Sequence, residues 1–287
     1  MKRTFYRSVI PVKSGSTRTD QLRFIDSLNS MDLLIYAGGE EPYCEFAGNI
    51  NDLRLPGQQP EELKLILESD TPTVLLLVQG RPRLITGFLD KTDAVVHCGL
   101  PGFEGAEAIS NVISGKVNPS GKLPFSYPMH PHHILPYNHK KSNLYFFDVK
   151  EANKIVQTDD SPSLFPFGYG LSYTVFTYSS LKLSSGSMTP DSSISAKLTV
   201  TNSGEREGIE TVLWFISVDV GRITRPVKEL KHFERIRLKP GESAVSCFHI
   251  TSDLLLYPDE DGNPVLEQGD YSVMAGGQKT GFSFHQE

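Results

Sequence analysis

The sequence predicts a partial doubly wound α/β domain followed by an all-β sandwich, and three observations carry that reading. Before residue 164, continuous apolar runs alternate with amphipathic stretches. After residue 173, short alternating segments are punctuated by Gly, Pro, Asn and Asp, as in VTNSGEREG from Val200 to Gly208. Between them, LFPFGYGLSY, Leu164 to Tyr173, holds two glycines, a proline and four aromatic rings. Pro166 fixes φ, Gly168 and Gly170 permit conformations closed to other residues, and the rings require buried surfaces. This stretch reads as a packed junction. The expected division is 1–128 for the partial α/β domain, 129–175 for a linker and the aromatic junction, and 176–287 for the sandwich.

Within the first part, Leu22, Phe24, Ile25 and Leu28 recur at helical spacing over 19–29, and DLLIYAGG follows as a short buried strand ending in two glycines. A long polar loop reaches Pro56, and Pro60 to Ser69 then reads as a helix with proline in its first turn. TVLLLV, Thr73 to Val78, is the continuous apolar run of a parallel strand covered on both faces. Ala94 to His97 predicts another strand, residues 83–90 a short helix between the two, and Phe103 to Gly115 an amphipathic helix ending at glycine. In such sheets ligands gather outside the carboxyl ends of the strands, here the loops 38–56, 79–84 and 98–104. Three strands are few, since doubly wound domains usually carry about five or six. The α/β part is therefore expected to be truncated on its N-terminal side.

After the junction, the segments 178–183, 195–201, 210–218, 227–238, 244–250, 271–275 and 282–285 alternate well enough to be strands. About seven strands in about 110 residues suit an immunoglobulin-like sandwich. Lys239-Pro240-Gly241-Glu242 and Glu267-Gln268-Gly269-Asp270 are the tight turns.

Composition narrows the function. A net charge of −6, from 34 acidic against 28 basic residues, offers no basic field for nucleic acid or an anionic membrane. No apolar run reaches the roughly 18 to 20 residues of a transmembrane helix, and MKRTFYRSVIPVKSGS lacks the apolar core of a signal peptide. The expectation is a soluble chain. Cys44, Cys98 and Cys247 lie too far apart for metal-ligand spacing. His130, His132, His133 and His139 are irregularly spaced among prolines and read as a solvent-exposed loop, so neither a metal nor another cofactor is expected.

The loop GGEEPYCEFAGNINDLRLPG, Gly38 to Gly57, places Glu40, Glu41, Glu45 and Asp52 directly after a strand. A carboxyl group held among Tyr43, Cys44 and Phe46 has the setting of a general acid, because apolar surroundings raise a carboxyl pKa. The same acids also fit a surface loop that keeps the domain in solution.

The ordered motifs decide between these readings. GEEPYCEFAGNINDLRLPGQQ from Gly39, LVQGRPRLI from Leu77, GLPGFEGAEAISNVISGKVNPSGKLPFSYP from Gly99 and FPFGYGLSYTVFTYSSLKL from Phe165 resemble successive landmarks of glycoside hydrolase family 3, the family of β-glucosidases. VTNSGEREGIE, RPVKELKHFERIRLKPGES and LEQGDYSVMAGG resemble its fibronectin type III-like terminal domain. The resemblance runs from about Asp32 nearly to the end. It implies hydrolysis of a β-linked glucoside or oligosaccharide with retention, and it assigns the acid/base role to Glu45, with Glu41 and Asp52 as competitors. Arg81 and Glu104, on the same sheet edge, are weaker substrate-binding candidates whose motifs equally serve packing. It also suggests an extracellular or periplasmic setting.

A retaining glycosidase needs two carboxyl groups about 5 to 5.5 Å apart. In family 3 the nucleophilic aspartate belongs to an N-terminal (β/α) barrel, and its Ser-Asp-Trp signature is not found in these 287 residues, where the single tryptophan, Trp214, falls in a sandwich segment. Two expectations follow. The chain is either the C-terminal part of such an enzyme, inactive alone and completed by a barrel chain or prone to self-association, or a non-catalytic carbohydrate-binding or scaffold protein derived from it.

Overall fold

The computed structural model describes residues 17–131, 136–140, 145–147, 155–157, 163–218 and 220–286. The chain forms two compact units, one of Met1–Ile109 with Pro128–His133, the other of Ser110–Tyr127 with Ile134–Glu287.

The first unit is organised by its most apolar strand. Helix α1 (Arg18–Leu28) begins at a capping box, in which the Thr17 hydroxyl accepts from the Asp20 N–H and the Asp20 carboxylate accepts from the Thr17 N–H. Strand β1 (Leu34–Gly39) follows, then helix α2 (Gln59–Ile66) and strand β2 (Thr73–Val78). Strand β3 (Ala94–Gly99) and helix α3 (Gly105–Ile113) complete the series, and the division between the units falls inside α3. The three strands are parallel in the order β1-β2-β3, with Leu34 opposite Thr73 and Val74 opposite Ala94. Leu75 and Leu77 on one face of β2 are fully buried and Leu76 on the other is buried as well, as a central strand covered on both faces requires. A 3₁₀ turn at Thr86–Lys91 occupies the place of the expected short helix.

The second unit is the sandwich with the turn-rich segments that precede it. Strands β4 (Tyr145–Phe147) and β5 (Ile155–Gln157) form an antiparallel pair inside the stretch read as linker. Strands β6 (Phe176–Tyr178), β7 (Lys182–Leu183), β8 (Ser187–Met188), β9 (Ile194–Asn202), β10 (Gly208–Val218), β11 (Glu229–Leu238) and β12 (Ser243–Ile250) follow. A small hairpin of β13 (Tyr257–Pro258) and β14 (Pro264–Val265) precedes β15 (Gly269–Ala275) and β16 (Gln278–Phe284). One sheet runs β11-β10-β15-β16-β8; the other runs β12-β9-β6, with β7 also paired to β9. Alternating burial along β9 and β10 sends Ile194, Ala196, Leu198 and Val200 of one sheet against Val212, Trp214 and Ile216 of the other.

The aromatic junction is placed by segment 118–127 of the same unit. Leu123 and Gly168 exchange backbone bonds through the Leu123 N–H to Tyr169 carbonyl and the Gly168 N–H to Leu123 carbonyl, both 2.8 Å. Tyr127 and Phe165 are bonded likewise, at 2.7 Å, and Phe165 stacks on Tyr169. Gly168 has φ +85°, and a Cβ there would lie 2.6 Å from Leu213 Cδ1, so both its freedom and its lack of a side chain are used.

Asn202, fully buried, is the polar centre of the VTNSGEREG turn. Its amide donates to the carbonyls of Arg206 (2.7 Å) and Leu238 (2.9 Å) and accepts from the Thr174 hydroxyl (2.7 Å) and the Gly204 N–H (3.1 Å). Asn202→Ala leaves these groups without their partner and is expected to cost about 1–3 kcal/mol. Urea unfolding followed by the fluorescence of Trp214, the single tryptophan, measures that loss within the sandwich itself.

Candidate active site

Glu40, the first residue beyond β1, is the centre of the acidic loop. Its backbone N–H donates to the Val78 carbonyl (3.0 Å), and its side chain is 2 % exposed. The N–H groups of Gly80 (3.2 Å) and Arg81 (3.0 Å) donate to one carboxylate oxygen. Arg81 Nε (2.8 Å) and Nη2 (2.8 Å) and Arg83 Nε (2.9 Å) and Nη2 (2.7 Å) all reach the other. Burial pushes the Glu40 pKa up, but the bonds from Arg81 and Arg83 and the Arg83 charge outweigh it and hold the carboxyl below the usual glutamate range.

The two arginines carry that anchor into the loop. Arg83 Nη1 donates to the carbonyls of Asp52 (2.7 Å) and Arg54 (3.1 Å), and the Leu84 N–H donates to the Leu53 carbonyl (2.8 Å). Arg81 Nη1 donates to the Gly48 carbonyl, and its guanidinium lies over the Tyr43 ring, 3.9 Å from the centroid. Gln59 pins the start of the loop, accepting from the Gly39 N–H (2.8 Å) and donating to the Gly39 carbonyl (3.0 Å). A Cβ at Gly39 would run into the Val78 carbonyl, which explains a glycine at this close approach.

Glu45 opens a 3₁₀ turn, Glu45–Gly48, with φ +48°. It alone among the described non-glycine residues has a positive φ, a conformation that costs roughly 1–3 kcal/mol and concentrates at functional sites. The turn is tightened by the Asn49 N–H to Phe46 carbonyl bond (3.0 Å) and buries Gly48 against Tyr43. Glu45 itself is exposed, and so are Tyr43, Cys44 and Phe46, the last at 86 %. The apolar surroundings expected from the sequence are thus not formed by these neighbours. They stand in the loop that follows β1 at the carboxyl end of the sheet.

The other candidates separate. Glu41 is exposed in the same loop. Asp52 is exposed and bonded to Arg54 through Nε (2.7 Å) and the backbone N–H (2.9 Å), which hold its carboxyl below the usual aspartate range. Arg81, 27 % exposed, turns its guanidinium into the Glu40 anchor. Glu104 is exposed in the loop after β3, beside a fully exposed Phe103. Among the described residues, no group of three or more His, Cys, Asp and Glu side chains is arranged to hold a metal; His132 and His133 lie outside them. Glu40, Arg83 and Gln59 were not singled out by sequence, although two arginines around a proline directly after a buried strand imply a carboxylate nearby.

Residues 13–173 match the Glycosyl hydrolase family 3 C-terminal domain, more than half of the chain. The protein belongs to glycoside hydrolase family 3. Residues 210–279 match a fibronectin type III-like domain. The family 3 relatives include a periplasmic β-glucosidase of Salmonella typhimurium, 34% identical over 94% of this chain and 36% of its own length. A lysosomal β-glucosidase of Dictyostelium discoideum is 32% identical over 95% of this chain and 33% of its own length. The chain thus spans about a third of the length of these relatives. The β-glucosidase of Listeria innocua, crystallised with glucose, superposes with a TM-score of 0.82 at 27% identity, covering 94% of this chain and 39% of that one.

The lowered Glu40 pKa fixes a pH dependence for this family 3 domain. Because the folded pKa lies below the unfolded one, the carboxylate adds stability above the ordinary glutamate range, and that stability is lost as pH falls through the folded value. Calorimetry is expected to show the unfolding temperature of the first unit falling with acidification below about pH 4.3. Glu40→Gln lowers the starting temperature and flattens that slope.

Proposed function

We propose that this chain supplies the acid/base half of a retaining β-glucosidase. The supporting observation is the placement of Glu45, whose PYCE segment resembles the family's acid/base segment, on a pinned turn that presents its carboxyl to solvent at the carboxyl end of the sheet. In the reaction, an aspartate from a (β/α) barrel outside these 287 residues attacks the anomeric carbon while Glu45 gives its proton to the departing oxygen. Glu45 then takes a proton from water, which displaces the aspartate and releases the sugar. Two carboxyl groups and water suffice for this chemistry. Exposed Phe46, Leu100 and Phe103 at the same edge support its being covered in the complete enzyme.

The substrate class is a β-linked glucoside or oligosaccharide, after the relatives named β-glucosidases. A relative from Formosa agariphila is named β-xylosidase and is 32% identical over 86% of this chain. Glycone choice accordingly falls to the barrel.

Purified alone, the chain is expected to give no hydrolysis of an aryl β-glucoside, whereas with the barrel supplied it turns the substrate over. In that assembled enzyme Glu45→Gln is expected to cut kcat on poor leaving groups by about 10²–10⁴-fold, with a smaller loss on activated aryl glucosides. Unchanged activity would remove Glu45 from the mechanism. Sugar binding without turnover in the assembled pair would instead support a non-catalytic carbohydrate-binding protein.

A further inference from the structure

The backbone of Glu45 is strained, yet the side chain at that position makes no use of burial to stay in place. What holds the turn lies underneath it. Gly48, three residues on, gives its carbonyl to Arg81 Nη1, and Tyr43, two residues back, lies beneath the same guanidinium. Arg81 in turn is fixed on Glu40, and Arg83, 7 % exposed, fixes the far end of the loop at Asp52 and Arg54 from the same carboxylate oxygen.

We infer that Glu40, acting through Arg81 and Arg83, sets the geometry of the turn that carries Glu45, so that Glu40 and Arg81 are positioning residues for that carboxyl. Three features of the site support this. The carboxylate accepts from both arginines and from two backbone N–H groups, leaving it no alternative orientation. Arg81 divides its donors between the anchor and the loop, with Nε and Nη2 on Glu40 and Nη1 on Gly48. A lysine at that position keeps the charge but not the fork, and loses the planar face that Tyr43 uses. The positive φ of Glu45 persists only where surroundings over-determine it, and Arg81 supplies contacts on both sides of that residue.

The inference rests on Glu45 being the acid/base only in its second half, and the experiment separates the two. In the full chain, amide exchange is compared for wild type, Arg81→Lys, Tyr43→Leu and Glu40→Gln. The Asn49 N–H, bonded to the Phe46 carbonyl, is expected to exchange about tenfold faster in Arg81→Lys, while the amides of β2 and the Trp214 unfolding signal stay as in wild type. Tyr43→Leu is expected to give a smaller rise at the same amide. Should Glu40→Gln unfold the first unit, the two milder variants still decide. An Asn49 amide that exchanges at the wild-type rate in both would overturn the clamp. In the assembled enzyme, Arg81→Lys is then expected to lower kcat about tenfold on a poor leaving group with KM little changed, and to lose less on a dinitrophenyl glucoside. Faster exchange with equal losses on both substrates would keep the clamp and overturn the acid/base role of Glu45.

Discussion

The first unit depends on one buried carboxylate facing two guanidinium groups. Glu40 leaves β1 into the sheet's carboxyl end, where the loop after β2 returns with Arg81 and Arg83. Its position is costly to desolvate, and that cost is offset only because every side of the carboxylate meets a donor. The donors that the arginines do not spend on Glu40 reach the loop carbonyls of Gly48, Asp52 and Arg54. Ordering of the long acidic loop therefore follows from satisfying the charges beneath it. A polar loop of this length has few apolar contacts to hold it, so a buried ionic anchor supplies what a hydrophobic core does elsewhere.

The second unit solves the same problem with a neutral amide and a partly buried ion pair. Asn202 closes the turn between β9 and β10 with four hydrogen bonds, and Lys122 ties the aromatic segment to the sheet by donating to the Gly170 carbonyl (2.9 Å) and pairing with Glu210 (3.3 Å). Glu210 also accepts from the Tyr178 hydroxyl at 2.6 Å, and burial followed by that bond pushes the Tyr178 pKa up. The rings of Leu164–Tyr173 thus belong to a polar and aromatic framework around β10, with Phe167 edge-on to Phe215. Their function is architectural.

The parts of the fold legible in the sequence were those where periodicity and burial agree. TVLLLV could only be a covered strand, and the alternation from Ile194 onward could only be one wall of a sandwich. The two-residue strand β8 and the β13–β14 hairpin were not legible, because segments of two residues carry no period, and the strand expected over 178–183 is divided between the end of β6 and β7. In the candidate site, family motifs pointed to Glu45, and they ranked Arg81 by its place on a sheet edge, without its partner. Glu40 was passed over among four similar acids. Which of four carboxyls is buried depends on where β1 ends relative to the loop after β2, a tertiary distance of forty residues in sequence that no local pattern encodes.

Glu40 and Glu45, five residues apart, contrast in burial and partners, and in the proposed enzyme they take different parts. Glu40 is dry, ionised and immobilised, which suits an anchor and disqualifies it as a proton donor, since its surroundings favour the charged form. Glu45 is wet and held only through its backbone. The aromatic residues that flank it in sequence, Tyr43 and Phe46, are themselves exposed. Placement and desolvation of the carboxyl therefore have separate origins in the proposed enzyme. In that proposal the chain fixes where the carboxyl stands, and the surface that covers this edge, bringing the nucleophile, excludes water from it. Such a division explains why an acidic loop so firmly pinned from below is left open above.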